Sequence, residues 1–206
     1  MRKLAQSFYH RDDVVQLAKE LLGKILVTKF DGRETSGRIV ETEAYNGEKD
    51  RASHAYGGRR TSRTEIMYAR GGMAYVYLCY GIHHLFNVVT SEKNVPHAIL
   101  IRALEPLKGI DTMLERTGKK NPDTYRNDYT LTKGPGNVSK ALGIHTKHSG
   151  ISLLGMEILI ADDRTVYSNR EIGCSPRIGV GYAGKDADLM YRFFVKGNPY
   201  VSGKPV

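Results

Sequence analysis

The chain has 206 residues, 40% of them hydrophobic, and 31 Lys and Arg against 22 Asp and Glu give it a formal charge of +9. Size and apolar content fit one globular domain over residues 1–206, and no apolar run approaches the ~18 residues of a membrane span. The basic balance favours a polyanionic partner, nucleic acid or an anionic membrane face; the two cysteines, Cys79 and Cys174, form no CxxC pair and read as small buried thiols.

Met1 to Ser7 lacks the apolar core of a signal peptide, so a soluble, intracellular protein is expected. Asp12-Asp13 can cap a helix carrying Val14, Leu17, Ala18, Leu21 and Leu22, which Gly23 ends. Lys24 to Phe30 is a β-branched run, and Asp31-Gly32 is a hairpin signal leading into a strand from Thr35 to Ala44. Strict alternation puts Ile39, Glu41 and Glu43 on one face of that strand and Val40 and Thr42 on the other. From Asn46 to Gly72 the chain is polar and glycine-rich, as functional or disordered loops are.

Met73 to Tyr80 and Leu85 to Thr90 read as strands broken near Gly81, and His97 to Leu104 as another that Pro106 closes. Ile110 to Arg116 fits a short helix, Gly118 to Lys133 a second polar loop, and Gly134-Pro135-Gly136 opens a helix through Leu142. Late strands are expected at Met156 to Ala161 and Tyr191 to Val195, with a short one at Arg177 to Gly181. Strands outnumber helices and are hairpin-linked, which predicts an α+β fold: a single mixed domain around a curved, largely antiparallel sheet with flanking helices.

Chemistry gathers between Arg38 and Asn87. A strand glutamate commonly serves solubility, but Glu43 stands at a strand end, next to Tyr45 and a long loop, where catalytic groups are common. The Glu41/Glu43 pair has the separation of a two-carboxylate sugar hydrolase, yet side chains at i and i+2 point the same way rather than flanking a bond. Arg51, Arg59, Arg60, Arg63 and Arg70 are opposed in their segment only by Glu65, and arginine forks grip phosphates. Tyr75 and Tyr77 share a strand face, which suits either core packing or base stacking.

The seven histidines include His83-His84 and His145-x-x-His148, but no third ligand stands at metal-site spacing, and His54 reads alone as a loop histidine. Gly179-x-Gly181-x-x-Gly184 has the dinucleotide spacing, with too little chain after it for a binding unit. The helix N-terminus at Gly134 could hold one phosphate.

Together the runs from Gly37 to Tyr45, Ala52-Ser53-His54, Gly57-Gly58-Arg59, Tyr75-Val76-Tyr77, Tyr80-Gly81, Asn87, Leu100 to Leu107, Gly134-Pro135, Ala141-Leu142, Arg177 to Gly181 and Arg192-Phe193 carry a resemblance. The chain resembles the alkyladenine (3-methyladenine) DNA glycosylase family of the mammalian type, in a compact bacterial version, over nearly its whole length. The resemblance implies a monofunctional enzyme that cuts the N-glycosidic bond of damaged purines in duplex DNA, with no metal or cofactor. It implies Glu43 as the general base, with Arg102 and the Ile178 carbonyl positioning the attacking water. Tyr45 would stack on one side of the flipped base, and His54 and Tyr77 on the other. Asn87 would exclude guanine's exocyclic amine, Tyr80 would be the wedge in the duplex, and Arg59, Thr61 and Arg63 would meet the DNA backbone.

Asn137, where mammalian members carry a lysine, and His83-His84 beside the wedge depart from the family pattern. The expected setting is a monomer in the bacterial cytoplasm, associated with the nucleoid and not with a membrane. A catalytically silent nucleic-acid-binding domain is the competing reading, against which stand Glu43 and Arg102, groups a binder does not need.

Overall fold

A computed structural model describes residues 1–119 and 129–203. In chain order these form strand β1 (Arg2–Lys3), helices α1 (Gln6–Tyr9) and α2 (Val14–Glu20), β2 (Ile25–Phe30), β3 (Arg33–Tyr45), β4 (Ala74–Cys79), β5 (His83–Thr90), β6 (His97–Lys108), α3 (Ile110–Thr117), α4 (Pro135–Leu142), β7 (Ile158–Asp162), β8 (Ile172–Ser175) and β9 (Arg192–Val195). The nine described strands make one sheet, in which β1-β7-β2-β3-β6-β5-β4 run side by side; β9 joins β3, and β8 joins β9. Every pairing is antiparallel. The α+β architecture read from the sequence is the one observed.

Local chemistry explains the elements that were legible. The Asp13 carboxylate accepts from the Gln16 amide at 2.8 Å and so caps α2, whose Leu17 and Ala18 are fully buried. Asp31 and Gly32 both take positive φ (53° and 71°), the two-residue turn whose twist matches the β2–β3 strands. Pro135 opens α4 in the first turn, where a missing N–H costs nothing, and Gly143 ends it in the left-handed region. The main core lies where α2, α3 and α4 pack against the sheet. A smaller apolar cluster, built on Met67, Tyr68, Tyr75 and Val89, anchors the loop that follows β3.

β3 is the hub. Its first half pairs β2 and its second half pairs β9, while β6 runs along the other edge. The β3–β6 ladder slips three times. Ile39 faces Leu104 and Glu41 faces Ala103, so Val40 is an extra residue on β3; Thr42 then faces Ile101, so Arg102 is an extra residue on β6. The expected alternation therefore breaks between Ile39 and Val40, which both lie in the main core, so Ile39 does not share the face of Glu41 and Glu43. Beyond that bulge alternation resumes: Thr42 turns towards α2, its hydroxyl on the Ala18 carbonyl at 2.8 Å, and Glu41 and Glu43 turn away from it.

Several expectations need correction. Pro106 does not close its strand: β6 continues to Lys108, because a third slip, between Ser36 and Gly37 on β3, accommodates the residue without an N–H. The expected strand at Arg177 to Gly181 is instead β8, five residues earlier, and Pro176 stops it from running on. The cysteines are not buried: Cys79 is half-buried, and Cys174 is exposed on the edge strand β8. The polar stretch from Asn46 to Gly72 contains three 3-10 turns, at Gly47–Lys49, Tyr56–Gly58 and Glu65–Tyr68. Much of the expected Gly118 to Lys133 loop, at 120–128, lies outside the described residues. No described helix is long and apolar enough to cross a membrane.

Candidate active site

Glu43 is completely buried near the end of β3, and two hydrogen-bond donors and one guanidinium converge on its carboxylate. The Ile178 amide donates to Oε1 at 2.8 Å, the Tyr45 hydroxyl donates to Oε2 at 2.9 Å, and Arg102 Nη1 lies 3.3 Å from Oε1. Burial, and after it the Glu43 charge, pushes the Tyr45 phenol well above its ordinary pKa, so it stays a donor. The Arg177 guanidinium covers the Tyr45 ring at 4.8 Å and is itself fixed to Asp50 and to the Ala44 carbonyl. Of the residues assigned to the reaction, Glu43, Arg102 and Ile178 are thus together, although the Ile178 contact is made by its N–H.

Tyr45 also lines a cavity with His54, Tyr75, Tyr77, Asn87 and Tyr182. The cavity offers about 30 Å³, room for roughly one or two waters, so a nucleobase would need a rim residue to yield. Its back wall is aromatic: Tyr75 and Tyr77 stack with centroids 5.5 Å apart, and His54 meets Tyr77 edge-on at 4.6 Å. Asn87 Nδ2 donates to the Tyr75 and Leu85 carbonyls, which commits the amide's donors to the backbone and leaves Oδ1 as its free acceptor. The four residues expected to hold a base, Tyr45, His54, Tyr77 and Asn87, therefore share one cavity.

The His54 ring is bonded through Nδ1 to the Tyr75 hydroxyl at 2.7 Å. Burial, then the charges of Arg63 and Arg59, pushes its pKa from 6.5 down to about 4, so the ring is neutral at pH 7. A folded-state pKa below the unfolded one means that the unfolded chain takes up this proton first as pH falls. The contribution of His54 to stability is complete above pH 6.5 and is lost as pH falls towards about 4. His54→Gln is expected to flatten the pH dependence of stability in that window, which urea midpoints measured across it would reveal. An unchanged slope would assign the dependence to other groups.

Outside the cavity, the β4–β5 hairpin projects a hydrophobic tip. Tyr80 is 88% exposed, with Leu78 and Ile82 at 43% and 71%. Tyr80 and Gly81 both take positive φ (51° and 73°), and the Ile82 N–H closes the turn on the Cys79 carbonyl at 3.1 Å. A non-glycine residue in that region is uncommon, and here it holds a large ring out of the fold. Arg59, Thr61 and Arg63 are exposed on the loop beside the cavity. Arg60 pairs with Glu65 and Arg70 with Glu92, whereas Arg59 and Arg63 make no ion pair among the described residues. Arg63 instead lies 5.9 Å from the Tyr77 ring centroid. The Thr61 and Thr64 hydroxyls, 3.2 Å apart, shape the turn that carries both arginines.

Sequence reading missed Tyr182, which lines the cavity and donates to the Ala52 carbonyl at 3.0 Å. The glycine-rich spacing around it was the available signal, and it pointed to a different ligand class. Also missed was the ion pair of Arg177 with Asp50, whose side chains are 0% and 1% exposed. Their separation of 127 residues leaves no local pattern to read.

The family model described as Methylpurine-DNA glycosylase (MPG) matches residues 7–199. A protein of Chlamydia felis is 48% identical over 192 residues, 93% of this chain and 95% of its own length. One from Clostridium perfringens is 43% identical over 205 residues, 98% and 100% of the two chains, and one from Clostridium acetobutylicum is 45% identical over 202 residues, 97% of each. All three carry the name "Putative 3-methyladenine DNA glycosylase". The chain belongs to the methylpurine-DNA glycosylase family and is a hydrolase of N-glycosidic bonds, with DNA as its substrate.

Proposed function

We propose that this chain extrudes alkylated or deaminated purines (3-methyladenine, 7-methylguanine, hypoxanthine and ethenoadenine) from duplex DNA and cleaves them from the sugar with a water activated by Glu43. A base inside a duplex is out of reach, so it must rotate into a pocket at a cost of a few kcal/mol. The Tyr80 ring would fill the gap in the stack, Arg59, Thr61 and Arg63 would hold the flanking backbone, and the base would enter between Tyr45 and the His54–Tyr77 wall. As the bond from the sugar C1′ to the base nitrogen breaks, positive charge grows on the sugar. Water then attacks C1′ and gives its proton to Glu43, the base departs with the bonding electrons, and an abasic site remains for base excision repair. Arg102 would orient Glu43 and the water, and the Ile178 carbonyl would accept from that water. Asn87 Oδ1, the acceptor that the amide's backbone bonds leave free, would discriminate by the groups a base presents to it.

The observation that supports this most directly is a buried carboxylate held by two hydrogen bonds and the Arg102 guanidinium, one of the bonds from the hydroxyl of a tyrosine that also walls the aromatic cavity. We place the enzyme, as a single domain over 1–206 and a monomer, in the bacterial cytoplasm at the nucleoid. The test is single-turnover cleavage of a duplex with one hypoxanthine, alkali revealing abasic sites, beside a methylated duplex. Release from either supports the reading; binding without cleavage of both would make the chain a silent binder. In the same assay Tyr80→Ala is expected to weaken lesion binding by roughly 1–3 kcal/mol, the worth of one stacked ring, and to slow turnover. Unchanged affinity and rate would remove Tyr80 as the wedge.

A further inference from the structure

Glu41, two residues before Glu43, is also completely buried, and it lies at the centre of a charge cluster of which the proposed reaction uses only Arg102. Its Oε1 accepts from Arg102 Nε at 3.0 Å, Arg192 Nε at 2.7 Å and Ser202 Oγ at 2.9 Å, and its Oε2 from the Ser202 amide at 2.7 Å. Ser202 Oγ in turn accepts from Arg102 Nη2 at 3.1 Å. One hydroxyl thus serves both partners, its proton towards Glu41 and a lone pair towards Arg102. Arg192 completes the enclosure, with Nη1 on Ser175 Oγ at 2.9 Å and Nη2 on the Ser202 carbonyl.

We propose that Glu41, Arg192 and Ser202 are positioning residues that aim the Arg102 guanidinium at Glu43, so that the C-terminal segment is part of the catalytic assembly. The inference rests on reading Glu43 as the base. Its physical ground is the planarity of the guanidinium. With Nε fixed on Glu41 and Nη2 on Ser202, the plane of the guanidinium and the position of Nη1 are set, 3.3 Å from Glu43 Oε1. The backbone contributes as well: Arg102 is the extra residue of a bulge, a device that re-aims a side chain where regular pairing would not. Stability alone is a weak reason for the cluster, since buried ion pairs can often be replaced by packed apolar residues at no loss. Orientation is what an apolar replacement could not supply.

The test is Ser202→Ala beside Ser202→Thr and wild type, in the full chain, on whichever of the hypoxanthine and methylated duplexes wild type cleaves. Single-turnover rate, affinity for the uncut lesion duplex and melting temperature are read for each. Ser202→Ala keeps the backbone donor to Glu41 and removes the hydroxyl bridge. It is expected to slow cleavage about ten-fold or more, the scale of a small misplacement of reacting groups, with affinity unchanged. Ser202→Thr, which keeps the hydroxyl, is expected to retain the rate. A wild-type rate in Ser202→Ala, a loss of rate matched by lost binding, failure of Ser202→Thr to hold the rate, or unfolding of Ser202→Ala at the assay temperature would each overturn the inference. Should wild type itself leave both lesions intact, the reading of Glu43 fails first and this one with it.

Discussion

Glu43→Gln is expected to slow single-turnover cleavage by about 10² to 10⁴, the usual worth of a general base, while lesion-duplex affinity and melting temperature stay close to wild type. The substitution is nearly isosteric, and the three groups around it can adapt. The glutamine carbonyl can accept from the Ile178 amide in place of Oε1, and the Tyr45 hydroxyl can turn to accept from the new amide in place of donating to Oε2. Arg102 keeps Glu41 as a carboxylate partner at 3.0 Å, a single charge that it then shares with Arg192. Loss of rate without loss of fold or binding would isolate the proton acceptor. Cleavage within a few-fold of wild type would mean that another group activates the water.

The second large effect is on stability. Asp50→Ala is expected to cost about 3–5 kcal/mol, measured as a fall in the urea midpoint at constant slope. The Arg177 guanidinium is wholly buried, and Asp50 is the carboxylate it pairs with; its remaining acceptors are the Ala44 and Asp186 carbonyls, and its Nε has no partner. The same aspartate accepts from the Asn46 and Ala52 amides at 3.0 Å each, tying down the start of the loop that carries His54 and the arginines. Because Arg177 also covers the Tyr45 ring, the variant should lose activity even under conditions where it folds. A change under about 1 kcal/mol would mean that water reaches Arg177 and that the pair is not structurally required.

The local pattern of the chain was enough for most of the longer elements and for placing Glu43 near a strand end. The Asp31-Gly32 turn, the capping aspartate before Val14, and the Gly134-Pro135 helix start are decided by dihedral preferences and single hydrogen bonds within a few residues, so they can be read without the fold. The same holds for Glu43 at a strand end and for Tyr80 at a hairpin tip. Resemblance to a family then gave Tyr45, His54, Tyr77 and Asn87 their common purpose, and the fold brings these four around one cavity.

Tertiary structure decided what depends on distant partners. Alternation along β3 gave Glu41 and Glu43 the same direction, but nothing near them in sequence says that one is locked in an ion cluster and the other is held by a tyrosine and a backbone amide. The partners of Glu41 lie 61, 151 and 161 residues away, and those contacts form only once β6, β9 and the C-terminal segment have closed around β3. The bulges at Val40 and Arg102 likewise belong to the ladder between two strands and to neither strand alone. Pro106 was misread for the same reason, because a slipped register removes the N–H requirement that makes proline a strand breaker. A sequence fixes backbone preferences and the face a side chain takes. Whether a buried charge serves the reaction or holds another residue in line is set by which donors the folded chain brings to it, because that balance of desolvation and pairing does not exist before folding.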